Sequence, residues 1–258
     1  MNAVDIENLN FSYNDTLVFN DLSLSIDEKS ITTILGKGSI GKSTLFKILC
    51  GDLKYDGNIL VLNKSIKYNL EKGYLGFIST DSYSFKKRIV KDEILYCLEN
   101  KGIAFSKIDA ELKRISKKVC LQNILDFKIS DLNVKEKNLL MVAIQIINKP
   151  KIIIIDNVFD YLDNEKKTIW KELIRLNRKG TTIVNITNNP EECLFGKDII
   201  ILNDSVLYFK TKDILEEDFL NNDLDVPFII SLSNKLKFYN LLDKNYLDID
   251  KLVDVLWQ

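Results

Sequence analysis

The sequence of 258 residues contains no histidine, which removes the side chain that most often serves as a general base or metal ligand. Four cysteines are present, but they lack the paired spacing of a zinc site and the density of a disulfide framework. We interpret Cys50, Cys97, Cys120 and Cys193 as buried thiols. An excess of one charge is also missing, because 36 basic residues face 37 acidic ones. This balance argues against a general attraction to nucleic acid.

Long apolar runs are absent as well. The longest, such as Ile152–Ile155 and Ile199–Leu202, fall far below the ~20 residues that a membrane-spanning helix needs. Residues 1–8 carry two acidic side chains and no basic stretch followed by an apolar core, so we predict no signal peptide. The composition, 46% hydrophobic, is sufficient for a buried core. We therefore expect a folded cytoplasmic chain without a membrane span of its own.

Two kinds of strand pattern are present. Apolar and polar residues alternate at Val4–Glu7 and Leu22–Ile26, which predicts strands of an antiparallel edge sheet with one covered face. Short apolar runs at Ile31–Leu35, Ile152–Ile155 and Thr182–Ile186 are typical of strands buried on both faces. Helical patterns between these runs indicate a parallel sheet with helical crossovers. The fold class that follows is α/β.

The helical patterns divide the chain further. Ser43–Leu49 and Lys166–Asn177 have helical character beside the predicted parallel strands. We predict a main domain over residues 1–213, with a helical subdomain inserted at about 86–145. Residues 214–258 form a predicted small helical region at the C-terminus, whose apolar positions suggest a dimerisation surface.

Residues 36–43 match the phosphate-loop pattern G-x-x-x-x-G-K-[ST] and lie between a predicted strand and a predicted helix. Glycines let backbone amides wrap the β- and γ-phosphates, and the helix N-terminus adds partial positive charge. Lys42 would reach these phosphates, and Ser43 would ligate magnesium. The predicted nucleotide-binding residues here are Gly36, Lys37, Gly38, Ser39, Ile40, Gly41, Lys42, Ser43 and Thr44. The motif alone is shared with kinases and other nucleotide-binding proteins.

Asp156 directly follows the apolar run Ile152–Ile155. Ligands of open α/β sheets bind at the carboxyl ends of the strands, where an aspartate suits a magnesium-bound water beside a nucleotide. The alternative is an aspartate that only caps the next turn. We predict ATP and Mg²⁺ as cofactors, with Ser43 and Asp156 at the metal.

With these elements placed, the chain resembles ABC transporter ATPases. Over nearly its full length it resembles the ATPase subunits of energy-coupling factor transporters, which import vitamins and metal ions. Residues 92–100 are similar to the family's helical subdomain, and Leu162 with Asp163 to the loop after the acidic strand. Residues 224–228, Leu-Asp-Val-Pro-Phe, are similar to the start of this subfamily's C-terminal helical domain. Tyr13 lies where the family places an aromatic against adenine; the alternative is a core or strand-edge tyrosine.

The resemblance implies an ABC-type P-loop NTPase fold with an antiparallel edge sheet, a helical subdomain and a small C-terminal helical region. In the family, two such domains close head to tail over two ATP molecules. The implied partners are a second, related ATPase subunit and a membrane-spanning coupling subunit. Through that membrane partner, the chain would lie on the inner face of the cell membrane.

Three single positions depart from the family's pattern. The glutamate that polarises the attacking water is replaced by Asn157, and the switch histidine that contacts the γ-phosphate by Asn188. The glutamine that links nucleotide state to the helical subdomain aligns with Thr80, whose side chain is shorter. An amide cannot take a proton, and loss of a general base costs ~10²–10⁴ in rate.

The signature segment, L-S-G-G-Q in the family, reads Leu-Asn-Val-Lys-Glu at residues 132–136. Val134 and Lys135 replace two glycines, so a Cβ atom stands where backbone amides would approach the partner's γ-phosphate. Asn133 and Glu136 still predict a helix N-cap with its box partner. Lys135 either offers its charge to the nucleotide or belongs to a solvated face.

These departures predict a chain that binds ATP but hydrolyses it weakly or not at all. We favour pairing with an intact ATPase, because a homodimer would lack these groups in both sites. One alternative is a soluble ABC-like protein acting in DNA repair or translation. The single cassette, the balanced charge and residues 224–228 argue against it. A second alternative is an active ATPase that uses unconventional residues.

Overall fold

The protein contains two β-sheets of different construction. Its structure is a computed structural model that describes residues 1–79, 85–203 and 205–257. The strands are β1 (Asn2–Tyr13), β2 (Thr16–Asp27), β3 (Ile31–Gly36), β4 (Asp56–Val61), β5 (Leu75–Ile78), β6 (Ile152–Asp156), β7 (Thr182–Ile186), β8 (Asp198–Leu202) and β9 (Val206–Lys210). The α-helices are α1 (Lys42–Cys50), α2 (Ile66–Glu71), α3 (Val90–Asn100), α4 (Phe105–Lys118), α5 (Val134–Asn148), α6 (Lys166–Asn177), α7 (Glu216–Leu220), α8 (Phe228–Phe238) and α9 (Ile249–Leu256).

The smaller sheet is antiparallel and has the order β2-β1-β4. Along β1, Val4 and Ile6 are buried, whereas Asp5 and Glu7 between and after them are more exposed. This is the consequence of side chains that point alternately to opposite faces of a strand. The predicted antiparallel edge sheet is confirmed.

The larger sheet has the order β5-β6-β7-β3-β8-β9, parallel throughout except for the final β8–β9 hairpin. Every residue of β3 and β7 is buried, as the apolar runs predicted for strands covered on both faces. The register pairs Ile186 of β7 with Ile34 of β3 on one side and with Asp156 of β6 on the other. The ends of these three strands therefore lie level with one another.

Helices cover both faces of this sheet. On one face α3, α4, α5 and α6 form an apolar cluster with the sheet, and on the other face α1 packs beneath the antiparallel sheet. Helix α4 buries Ile108, Leu112 and Ile115, the spacing of an amphipathic helix. Helices α3 and α4 lie where the helical insertion was predicted. None of the helices in the described ranges is both long and apolar enough to cross a bilayer.

The C-terminal helices pack differently from the expectation. Phe219, Leu224 and Ile230 are buried in one cluster with Ile199 and Ile201 of β8. Many apolar residues of 214–258, which we predicted to form a dimerisation surface, therefore complete the core of the sheet domain. Other large apolar side chains of this region remain exposed, among them Phe228, Phe238, Tyr239, Leu241, Val253 and Trp257.

The four cysteines do not share one environment. Cys97 and Cys193 are buried, and burial raises the pKa of their thiols to about 11 and about 12. Cys50 is half-buried, and Cys120 is exposed. The prediction of four buried thiols is therefore wrong for Cys120. It follows Val119, the residue that caps α4, and adopts a left-handed φ of 60° at the surface.

Candidate nucleotide-binding site

The phosphate loop joins the end of β3 to the start of α1 and packs against the antiparallel sheet. Gly41 caps α1 with a left-handed φ of 99°. A Cβ atom at this position would lie 2.6 Å from a ring carbon of Phe19 and 2.7 Å from a methyl carbon of Val18. Both the backbone angle and the close approach therefore require glycine. The β1–β2 hairpin is thus held directly against the loop.

Lys42, the first residue of α1, turns its side chain back into the loop. Its Nζ donates hydrogen bonds to the carbonyl oxygens of Gly36 at 2.6 Å and of Lys37 at 2.5 Å, and the residue is 5% exposed. Burial lowers the pKa of Lys42 to about 8, an effect that the charge of Asp156 partly opposes. The ammonium group is poorly solvated, so it would gain from contact with an anion.

The two predicted magnesium ligands, Ser43 and Asp156, come from different elements, and the charge of Asp156 acts on the Lys42 ammonium. Ser43 is exposed in the first turn of α1, and the half-buried Asp156 ends β6, two strands away from β3. No group of three or more acidic or cysteine side chains suited to a metal occurs within residues 1–79, 85–203 and 205–257. Two protein ligands fit magnesium beside phosphates, because this ion retains several waters and takes the remaining oxygens from the substrate.

Asn157 and Asn188, the two positions predicted to replace catalytic groups of the family, are in direct contact. The backbone N–H of Asn188 donates to Oδ1 of Asn157 at 3.1 Å. On its other side, Asn157 donates through Nδ2 to Oδ1 of Asp156 at 3.2 Å. Asn157 adopts a left-handed φ of 48°, which asparagine tolerates better than most residues. Its amide is thus held by hydrogen bonds and offers no atom that could take a proton from water.

Tyr13 lies at the end of β1, on the hairpin that packs against the phosphate loop. It is 42% exposed, and its ring meets that of Phe11 edge to face with 4.8 Å between the centroids. Phe11 in turn pairs in register with Phe19, the residue that contacts Gly41. The exposed ring is available to a planar ligand, as the adenine prediction requires. Thr80, aligned with the family's loop glutamine, lies outside the described residues.

Two contacts around the site have no signal in the sequence. Lys37 of the phosphate loop forms an ion pair of 2.6 Å with Asp223, which ties the loop to the C-terminal region. Glu192, buried after β7, accepts hydrogen bonds from Asn185 at 2.8 Å and from Lys166 at 3.1 Å, while burial raises its pKa. Glu192 anchors the turn that follows Asn188. Lys166 lies 26 residues from Glu192, and Asp223 lies 186 residues from Lys37, so spacing could not reveal these two contacts.

Polar side chains of the signature segment form hydrogen bonds and an ion pair within their own chain. Oδ1 of Asn133 accepts from the N–H of Glu136, and Oε2 of Glu136 accepts from the N–H of Asn133, both at 2.9 Å. The predicted capping box is confirmed. Lys135 forms an ion pair of 2.8 Å with Glu165, and this hydrogen bond raises the pKa of Lys135. Lys135 is therefore neither a free cation for a nucleotide nor a merely solvated one.

Comparison with known proteins identifies the family to which a chain with this geometry belongs. A family model for the ABC transporter matches residues 19–160, more than half of the chain. The chain belongs to the ABC transporter ATPase family. The matched segment of this ABC ATPase contains the phosphate loop, the signature segment and Asp156.

Curated relatives point to the same branch that the sequence resembles. The energy-coupling factor transporter ATP-binding protein EcfA of Malacoplasma penetrans is 30% identical, over 98% of this chain and 92% of its own length. The corresponding protein EcfA1 of Fusobacterium nucleatum is also 30% identical, over 99% and 98%. The resemblance to energy-coupling factor ATPases is confirmed at this modest identity.

Solved structures support the fold of this ABC ATPase. CbiO1 of Clostridium perfringens, part of the ABC transporter complex cbiONQ, superposes with a TM-score of 0.69 at 23% identity, covering 92% of this chain and 95% of CbiO1. An ATP-binding subunit of another ABC transporter gives a TM-score of 0.71 at 15% identity, covering 99% of this chain and all of that one. The predicted α/β fold of ABC type is confirmed.

Proposed function

We propose that this ABC ATPase is the ATP-binding subunit of an import transporter of the energy-coupling factor type, and that it binds ATP far better than it hydrolyses it. The observation that carries the proposal is the hydrogen bond between Asn157 and Asn188, beside a phosphate loop that keeps Lys42 and Ser43. Binding groups are retained, whereas both groups that would act on the water and the γ-phosphate have become amides.

Binding would begin with Lys42. A triphosphate would replace the carbonyl oxygens of Gly36 and Lys37 as the partner of its ammonium, which increases the number of opposite charges around a poorly solvated cation. Ser43 and Asp156 would hold magnesium, which neutralises phosphate charge when it is bound. The exposed ring of Tyr13 would stack on adenine, a contact worth ~1–3 kcal/mol by analogy with base stacking on aromatics.

Hydrolysis would then lack a proton acceptor. A glutamate at the end of β6 would take a proton from the attacking water, but Asn157 can only accept or donate hydrogen bonds. Its oxygen is engaged by the Asn188 N–H, so the pair would hold the loop rather than activate water. Losing a general base costs ~10²–10⁴ in rate. Bound ATP would serve to keep a dimer closed.

The partner that fits these features is a second, related ATPase rather than another copy. In a dimer of identical chains both sites would combine Asn157 with a signature segment that carries side chains at Val134 and Lys135. An intact partner would supply one proficient signature segment. The exposed apolar residues of the proposed C-terminal region 214–258, such as Phe238 and Trp257, offer a contact surface. A membrane-spanning coupling subunit would place the pair at the membrane.

The test is calorimetry with magnesium-ATP followed by phosphate release from the same preparation. We expect binding in the micromolar to sub-millimolar range, roughly −5 to −8 kcal/mol, with phosphate release near background. Lys42→Ala should weaken the binding at least roughly thirtyfold. Robust turnover by the wild-type chain alone, lost in Lys42→Ala, would show that this ATPase works with unconventional residues instead.

A further inference from the structure

A small concave surface lies far from the phosphate loop, where α4, α5 and α6 end. Helices α5 and α6 run into the amino ends of β6 and β7, whereas the phosphate loop lies at the carboxyl edge of the same sheet. The concavity has a volume of about 260 Å³ and an apolar floor that includes Ile146 and Leu176. Its cationic lining residues are Arg114, Lys118, Lys149, Arg175, Arg178 and Lys179.

The charge of this concavity is unbalanced. Its six cations share two carboxylates, Glu172 in the wall and Glu111, which pairs with Arg114 at 2.5 Å. Four positive charges therefore remain in excess, in a protein whose net charge is −1. Cations near helix carboxyl ends are favourable, which explains single basic residues at such positions. It does not explain why three helices gather six of them in one place, where like charges repel.

Glu172 organises part of the cationic wall. It is 5% exposed, and its Oε2 accepts a hydrogen bond from Nζ of Lys118 at 2.6 Å, while Oε1 is bonded to Arg175. One buried carboxylate thus fixes two cations from two different helices. Each of them keeps further N–H donors, because an ammonium has three and a guanidinium five. The wall is ordered before any ligand arrives.

Three other cations at the rim have no such partner. Lys149, Arg178 and Lys179 form no ion pair with the carboxylates of residues 1–79, 85–203 and 205–257. Lys149 caps α5 in a left-handed conformation, and Arg178 caps α6. These turns place three cations beside Lys118 and Arg175, and Lys149 is close enough to Glu111 to help lower the pKa of that carboxyl group.

We propose that this concavity is a binding site for a phosphate-bearing anion. Arginine forks match phosphate oxygens in bidentate geometry, and lysines add point charge. The volume lies below the ~300–1,000 Å³ of pockets for drug-sized ligands, so it suits one or two phosphate groups and not a whole nucleotide. The phosphate would come either from a free diphosphate or from the headgroup of an anionic lipid.

Pyrophosphate titration tests the free-anion source. The full chain carries Lys42→Ala and the buffer is free of magnesium, so that the phosphate loop does not compete. We expect Arg178→Glu with Lys179→Glu to weaken binding by roughly tenfold or more, since two attractive charges become repulsive. The matched control is Lys113→Glu with Lys117→Glu on α4, exposed residues outside the concavity with the same change in net charge. The control should stay within about twofold.

Vesicle flotation tests the lipid source with the same variants. Vesicles of phosphatidylglycerol are compared with vesicles of phosphatidylcholine, which carry no net charge. If the Arg178/Lys179 variant loses pyrophosphate binding and the Lys113/Lys117 control keeps it, the proposal is supported with a free anion as the ligand. If the Arg178/Lys179 variant instead loses phosphatidylglycerol binding and the control keeps it, the proposal is supported with a lipid headgroup as the ligand. Equal losses in both variants, or no binding in either assay, overturn the proposal. Should the glutamate variants unfold, Arg178→Gln with Lys179→Gln against Lys113→Gln with Lys117→Gln gives the same comparison.

Discussion

The phosphate loop and the signature segment both lead into a helix, but their surroundings differ. At the phosphate loop, a Cβ atom at Gly41 would clash with Phe19. Lys42 donates hydrogen bonds to loop carbonyl groups in a site where its charge is poorly solvated. At the signature segment, Asn133 caps its own helix and Lys135 is neutralised by Glu165. The first region presents a poorly solvated charge to a ligand, and the second satisfies its polar groups internally.

This difference indicates that a helix can be retained without the glycines through which we expect the family to contact a ligand at its start. The capping box keeps α5 stable without glycines, because Asn133 and Glu136 satisfy two backbone donors at no cost to the fold. Lys42, by contrast, is worth little to folding, since burial opposes its charge. We therefore expect this charge to serve ligand binding and not stability.

The largest effect is expected at the phosphate loop. Lys42→Ala should weaken ATP binding by about 2–5 kcal/mol, at least roughly thirtyfold, because a desolvated charge partner is removed from the phosphates. Calorimetry measures the loss, and Lys47→Ala in the last turn of the same helix is the control. If both variants bind ATP as the wild type does, the phosphate loop is not the binding site and the comparison fails.

Restoring catalytic groups should give the next largest effect. Asn157→Glu alone should do little, since glutamate in the left-handed conformation costs roughly 1–2 kcal/mol more and the γ-phosphate contact is still missing. Adding Asn188→His, beside a partner with an intact signature segment, should raise phosphate release by on the order of tenfold or more. Asn157→Gln with Asn188→His lacks the carboxylate and should stay at background. Equal rates in the two double variants would contradict the assigned role of position 157.

Alkaline pH should weaken ATP binding through Lys42. The free protein holds this ammonium with a pKa of about 8, so above that pH a proton must be taken up when phosphates bind. Affinity should fall roughly tenfold between pH 7 and pH 9 in calorimetry. The Lys42→Arg variant stays charged, so its ATP affinity should not change with pH over this range. If its affinity falls as steeply as that of the wild type, a group other than Lys42 is responsible for the pH dependence.

The same pKa has the opposite consequence for folding. The unfolded chain holds Lys42 with the ordinary pKa near 10.5, above the folded value of about 8. Between these pH values the unfolded state binds more protons, so the contribution of Lys42 to the free energy of unfolding rises with pH. Binding and stability should therefore respond to alkaline pH in opposite directions at this residue.

The smallest effect is expected at the signature segment. Asn133→Ala removes the cap of α5 and should lower the free energy of unfolding by ~1 kcal/mol, a shift of about 2–4 °C in Tm, without changing ATP affinity. Val134→Ala at an exposed neighbouring position is the control and should leave both unchanged. A loss of ATP affinity in Asn133→Ala would mean that this segment contributes to binding in its own chain.

Much of the fold could be predicted because its signals are local. Alternation along β1 and β2, the apolar runs of β3, β6 and β7, and the spacing in α6 report which faces are covered. The C-terminal region was predicted as helical, but the burial of Phe219 and Leu224 against β8 was not. Apolar content indicates that a face is covered and does not identify the surface that covers it.

The chain's own sequence determined the parallel sheet, the phosphate-loop motif, the amide side chains of Asn157 and Asn188, and the capping box of α5. Each depends on residue type or on neighbours within a few positions. Only the tertiary structure decided that Asn188 bonds to Asn157, that Lys135 meets Glu165, and that three helix ends form one cationic concavity. These contacts join residues that are far apart in the chain. Tertiary packing sets the distances between their charged groups, and those distances determine how strongly the charges interact.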